Sequence, residues 1–134
     1  MRDEQVRRYA RHILLPDVGG LGQTALMVSC AKIELRESEP LAELIAAQYL
    51  AAGGVGTVVL AGATVAQRAS VAAHGSDTRL VTEGPGREVG FQPRPAWWPA
   101  SSSGQPGHGD DATAIAFWRG GMAALRWMAD VANR

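Results

Sequence analysis

Between Glu43 and Arg68 the chain carries no charged residue, and this stretch restricts the fold more than any other. Gly53-Gly54-Val55-Gly56 divides it into a helix-like half and a strand-like half. Each half is shorter than the roughly 20 residues that a membrane-spanning helix needs, so the stretch predicts a buried helix–turn–strand. The helical half is Leu41–Ala52, with Leu41, Leu44, Ile45 and Tyr49 on one stripe and two glycines to stop it. Its partner, Val55 to Ala61, is apolar, rich in β-branched residues and bounded by Gly56 and Gly62, as a buried strand should be.

A second strand is expected just upstream, over Ala31–Leu35. There Lys32 and Glu34 alternate with Ile33 and Leu35, whereas a central parallel strand usually reads as a continuous apolar run. Ser38 then suits a helix N-cap, and Pro40 is tolerated in a first helical turn. Strand, helix and strand together predict a right-handed βαβ unit and an α/β fold.

Outside that unit the pattern is coarser. Val6, Tyr9, Ala10 and Ile13 lie on one face of a helix expected over Asp3–Ile13, which Pro16 ends. Gly19-Gly20-Leu21-Gly22 predicts a flexible turn before a short helix through Thr24–Met27. A helix is expected over Val65–Ala73, with short strands at Arg79–Thr82 and Glu88–Phe91 around the turn Gly84-Pro85-Gly86. The stretch from Pro93 to Asp110 is rich in Pro, Gly and Ser and reads as a loop. Ile115, Trp118, Met122, Leu125 and Met128 then mark a long amphipathic helix, with Phe117, Ala124 and Val131 widening its face and Asp110 or Asp111 as its cap. The chain is thus expected to be one domain, divided into residues 1–30 (helices), 31–92 (α/β core), 93–110 (loop) and 111–134 (helix).

Charge and cysteine content narrow the function. Thirteen basic residues balance 13 acidic ones among 134, which gives no electrostatic reason to expect nucleic acid or an anionic membrane as partner. Met1 leads into Arg2, Asp3 and Glu4 rather than an apolar run, so a cytoplasmic protein is expected. The single cysteine, Cys30, excludes an internal disulfide and a four-cysteine zinc site, and its setting predicts a buried structural thiol. His12, His74 and His108 lack metal-ligand spacing, and Ser101-Ser102-Ser103 lacks the strand–turn–helix elbow of a hydrolase nucleophile.

Two stretches resemble a known family. Arg8-Tyr9-Ala10-Arg11-His12-Ile13-Leu14-Leu15-Pro16 and Tyr49-Leu50-Ala51-Ala52-Gly53-Gly54-Val55-Gly56-Thr57 are similar to two anchor sequences of the ThiF/MoeB/HesA family, the bacterial relatives of ubiquitin-activating enzymes. The likeness runs from Glu4 to Gly62 and implies a truncated, Rossmann-like, three-layer α/β fold with a small, mainly parallel sheet. It also fixes a register in which the family's phosphate-binding Gly-x-Gly-Gly-x-Gly falls on Ser38-Glu39-Pro40-Leu41-Ala42-Glu43. None of the four glycines is present, Pro40 has no N–H to offer a phosphate, and Glu37, Glu39 and Glu43 bring negative charge. The earlier Gly20-x-Gly22 does not replace them, because no strand precedes it. At the end of the second strand, where the family places an acid on the ribose hydroxyls, stands Gly62.

These departures predict a family member that binds no cofactor of its own and serves as a dimerisation, scaffold or regulatory partner. The alternative implied by the resemblance is a subunit of an ATP-dependent adenylyltransferase, with a partner chain supplying ATP and magnesium and Arg11 reaching into that site in trans. Arginine suits such a role because its planar fork grips phosphate oxygens in two places; the competing reading is a solvated helix face. Expected partners are a second copy, an intact family member, or a ubiquitin-like or sulfur-carrier protein. Arg8, Arg11, Trp97 and Trp98 are the candidate contacts, although the two tryptophans equally suit a buried lid over the sheet.

Overall fold

The structure, a computed structural model, describes residues 1–13, 18–36, 40–97 and 109–134, with the side chains of residues 11, 13 and 109–111 outside the description. It is a mixed α/β, Rossmann-like fold. Helices α1 (Asp3–Arg8), α2 (Ala10–Ile13) and α3 (Gly19–Met27) precede strand β1 (Cys30–Glu34). Then follow α4 (Leu41–Ala52), β2 (Thr57–Ala61), α5 (Val65–Ala72), β3 (Arg79–Val81), β4 (Arg87–Glu88) and the 24-residue α6 (Gly109–Ala132). The sheet order is β3-β2-β1-β4, and all three pairings are parallel. The two short strands flanking Gly84-Pro85-Gly86 therefore do not pair with each other; they occupy opposite edges.

Register explains the alternation in β1. Ala31 and Ile33 share a face with Val58 and Leu60 of β2, and all four are buried in one core with Leu50, Val71, Ala124 and Trp127 from the helices. Lys32 pairs with Val59 and points to the opposite face, together with Cys30 and Glu34. Val59 is buried but lies outside that core. Here the chain passes from β3 to β4: the Cys30 thiol donates to the Pro85 carbonyl, and Gly86 lies against Cys30 and Lys32. Cys30 is accordingly half-buried rather than the buried thiol expected from sequence. A polar residue at every second position is possible in a central strand because no described helix covers that side.

The helical faces differ from their sequence-based assignment. In α4 the buried residues are Ala42, Ile45, Ala46, Ala47, Leu50 and Ala51, while Leu41 and Tyr49 are exposed. In α6 they include Gly120, Ala123, Ala124, Trp127 and Met128, while Phe117 and Leu125 are each more than half exposed. The cause is the closeness of the two helices. A Cβ at Gly120 would sit 2.4 Å from the Ala42 carbonyl oxygen and 2.9 Å from the Ile45 Cβ. Only small residues fit that seam, so the large side chains turn to its flanks.

Two further differences lie near the N-terminus. The first helix breaks at Tyr9, whose φ of −99° and ψ of 15° leave the helical region, and Gln5 rather than Val6 is buried. Gln5 bends back to accept a hydrogen bond from the Arg2 N–H at 2.9 Å, which takes its amide out of water. The glycine cluster is the first turn of α3, not a loop, because Gly22 packs against Ala132 of α6.

Candidate functional site

In an open parallel sheet the strand order reverses at one point, and the crevice beyond the carboxyl ends of the strands at that point is the usual ligand site. Here β1 leads through α4 to β2 on one side, whereas β4 lies on the other side of β1. The reversal therefore falls between β1 and β4. A cleft of about 230 Å³ opens there. Lys32 and Glu34 of β1, Arg36 just beyond it and Glu88 of β4 supply its charged wall. Glu43 comes from the first turn of α4, and Val89 and Phe91 close the apolar side.

Each charged group arrives for a local reason. Strand pairing sets Lys32 beside Glu88. The two-residue period puts Glu34 on the face of Lys32. Arg36 turns back on Glu34, donating from Nε at 2.7 Å and from Nη2 as well. That hydrogen bond, then the arginine's charge, holds the Glu34 carboxyl below its ordinary range against the effect of burial, with Lys32 adding to the shift. Arg36 is raised by the same bond and charge, with a smaller contribution from Glu88.

Three carboxylates thus face two cations, one of which is already held by Glu34. Such a cleft opposes a polyphosphate, which needs converging N–H donors and positive potential. The amino end of α4 contributes little toward either. Pro40 occupies its N-cap and lacks an N–H, and Glu43 meets the positive end of the helix dipole. Of the other residues in the expected loop register, Leu41 is exposed and Ala42 is buried against α6, while Ser38 and Glu39 lie outside the described residues. Gly62, where the resemblance implies a ribose-binding acid, has φ +84°, and a Cβ there would stand 3.0 Å from the Leu35 carbonyl oxygen.

The N-terminal arm forms a second cluster, at the other end of the strands. Tyr9 donates from its hydroxyl to Asp77 Oδ2 at 2.8 Å, and its ring covers Gly54. Gly54 has φ +81°, and a Cβ there would overlap the Tyr9 ring, so both the turn and the contact require glycine. Arg8 donates to the same Asp77 oxygen and pairs with Glu4 at 3.0 Å. The fully buried Gln23 donates to the Gly53 carbonyl at 2.9 Å and meets His12 Nδ1 at 3.1 Å. Arg8 is thus engaged within its own chain. The side chain of Arg11 lies outside the described residues, although its backbone belongs to α2 between the two anchored rings.

Trp97 is 72% exposed and stands edge-on to Trp118 of α6, with ring centroids 6.5 Å apart; Trp98 lies outside the described residues. Asp77, Arg36 and Glu88 carry no signal in the sequence pattern. Asp77 lies in the loop before β3, and Glu88 acquires meaning only through its pairing with Lys32. Among the described residues no three His, Cys, Asp or Glu side chains are grouped to hold a metal ion, and no helix is long and apolar enough to cross a membrane.

No protein-family model matches this chain, and no curated protein matches it.

Proposed function

We propose that this chain is a ThiF/MoeB-like protein that no longer adenylates and acts as a dimerisation, scaffold or regulatory partner in the cytoplasm. The observation that carries this reading is the acidic cleft at the strand-order reversal, with Glu34, Glu43 and Glu88 around the place where the family binds triphosphate. Pro40 and Gly62 support it independently, since one lacks a donor and the other lacks a side chain. Its partners are a second copy, an intact relative, or a ubiquitin-like or sulfur-carrier protein, met through the N-terminal arm and the Trp97-Trp98 segment. Calorimetric titration of the purified chain with Mg-ATP tests the loss of the nucleotide site: no heat is expected in the micromolar range, and saturable micromolar binding overturns the reading.

A second reading makes the chain a subunit of an adenylyltransferase whose nucleotide site belongs to a partner. One observation favours it. The backbone of residue 11 lies on a short helix flanked by two anchors, Tyr9 on Asp77 and His12 on Gln23. Pyrophosphate–ATP exchange by the co-purified complex, with Arg11→Ala as the comparison, separates the two. Exchange lost with the substitution supports the second reading, and unchanged exchange removes the trans-acting arginine.

A further inference from the structure

Helix α6 separates its charged and apolar side chains onto two flanks. Between Ala112 and Ala132 its charged residues are Arg119, Arg126 and Asp130, which at about 100° per residue fall within about 40° of one another. This flank faces the sheet edge: Asp130 pairs with Arg87, and Arg119 Nε donates to the Gln92 carbonyl at 2.7 Å. Phe117, Gly121 and Leu125 follow one another on the opposite flank, which carries no charge over the same span. Phe117 is 53% exposed and Leu125 54%.

Tyr49 of α4 extends the apolar flank. It is 45% exposed, and a Cβ at Gly121 would stand 3.8 Å from its ring. A groove of about 270 Å³ runs between Tyr49 and Phe117. Apolar residues exposed singly need no partner, but large ones gathered on one helix flank and its groove mark a contact surface. The surface itself indicates what covers it. It carries no charge, so its cover is apolar. A second copy meets that requirement without bringing like charges together, because Arg119, Arg126 and Asp130 lie on the far flank. The spacing is self-complementary as well. Phe117 and Leu125 stand four residues to either side of Gly121, so a two-fold axis beside Gly121 lays two α6 helices antiparallel and sets each Phe117 against the partner's Leu125. Glycine at the crossing lets the two helices approach closely.

We infer that α6 pairs with α6 of a second copy of this chain, antiparallel about Gly121, with Phe117, Leu125 and Tyr49 as the buried contacts. The pairing requires neither the N-terminal arm nor the Trp97-Trp98 segment, and it stands whether or not the chain is a ThiF/MoeB relative. A face of about three helical turns is smaller than the roughly 800 Å² per partner of a standard interface, so the dimer is weak and concentration-dependent.

Sedimentation velocity of the full chain, from about 10 µM to about 1 mM, tests it. The mass is expected to rise from monomer toward dimer across that range. Leu125→Glu and Phe117→Lys each place a charge in the contact and are expected to weaken pairing about tenfold or more. Arg126→Glu, one residue further on but on the charged flank, is expected to leave pairing unchanged. Mixing Phe117→Lys chains with Leu125→Glu chains is expected to restore a dimer, because antiparallel helices set the introduced lysine beside the introduced glutamate. All three positions are exposed, and circular dichroism checks that each variant keeps its fold. A monomer at every concentration leaves this face to another occupant and overturns the inference. So do pairing indifferent to Leu125→Glu, loss of pairing with Arg126→Glu, and failure of the mixed chains to associate.

Discussion

The hydroxyl of Tyr9 and the carboxylate of Asp77 meet at 2.8 Å, and this contact joins the first helical segment to the loop that enters β3. Arg8 donates to the same carboxylate oxygen, and Arg2 approaches the other at 3.6 Å. The arm is thereby fixed to the amino ends of the strands, away from the cleft at their carboxyl ends. Any role of the arm in meeting a partner begins from this mount.

Removing the acceptor should loosen the arm. Asp77→Ala leaves the buried Tyr9 hydroxyl unpaired and is expected to cost about 2 kcal/mol, whereas Tyr9→Phe, which removes the donor instead, should cost about 1 kcal/mol. Urea unfolding of the two single variants and the double variant checks this, with a coupling near zero counting against the contact.

The same pair sets a pH dependence at each extreme. Burial raises the Asp77 carboxyl, but the hydrogen bonds from Tyr9 and Arg8 and the charges of Arg8 and Arg2 outweigh it, and the net direction is down. The unfolded chain then binds the proton first, so this contribution is present above the ordinary aspartate range and is lost as pH falls through the folded value. Tyr9 is pushed up to about 12, chiefly by burial and then by Asp77. Its contribution is complete below the ordinary tyrosine value of about 10 and disappears as pH rises through the folded one. Phenolate absorbance in a Tyr49→Phe background reads Tyr9 alone; a transition at its ordinary value would contradict the assignment.

Two adjacent glycines of α6 should respond in opposite directions. Gly120→Ala forces a methyl group against the Ala42 carbonyl and Ile45 and is expected to lose about 2–3 kcal/mol. At Gly121 the nearest atom to a new Cβ is 3.8 Å away on the Tyr49 ring, so alanine is accommodated and gains up to about 1 kcal/mol of helix propensity. Thermal unfolding of both variants decides whether the α4–α6 seam lies where the structure puts it.

Introducing an acid at Gly62 should not create a nucleotide site. Gly62→Asp places a side chain at φ +84° and 3.0 Å from a carbonyl oxygen, for an expected loss of about 1–2 kcal/mol. Chemical denaturation measures that loss. Mg-ATP titration of the same variant is expected to stay silent, because Glu34, Glu43 and Glu88 are unchanged; a new micromolar affinity would show that the acid alone had been missing.

Local pattern determined what depends on near neighbours. The uncharged stretch split by glycines defined α4 and β2, the alternation of Lys32 and Glu34 in β1 was visible, and the apolar period marked α6. Thr64 and Gln67 form a reciprocal cap at the start of α5, a device that also resides wholly in local sequence.

Tertiary structure decided which face each element buries and which residues share a site. Leu41, Tyr49, Phe117 and Leu125 fit a hydrophobic stripe on paper, yet the α4–α6 seam selects the alanines and Gly120, because backbone approach limits side-chain volume there. Glu88 gained a role only when parallel pairing set it beside Lys32, and Arg87 only when α6 folded back over the sheet edge. Such meetings join residues dozens of positions apart, and a one-dimensional pattern holds no distance between them. The sequence thus specified the elements, whereas close packing, which depends on volumes and charges meeting in three dimensions, specified the cleft and the groove.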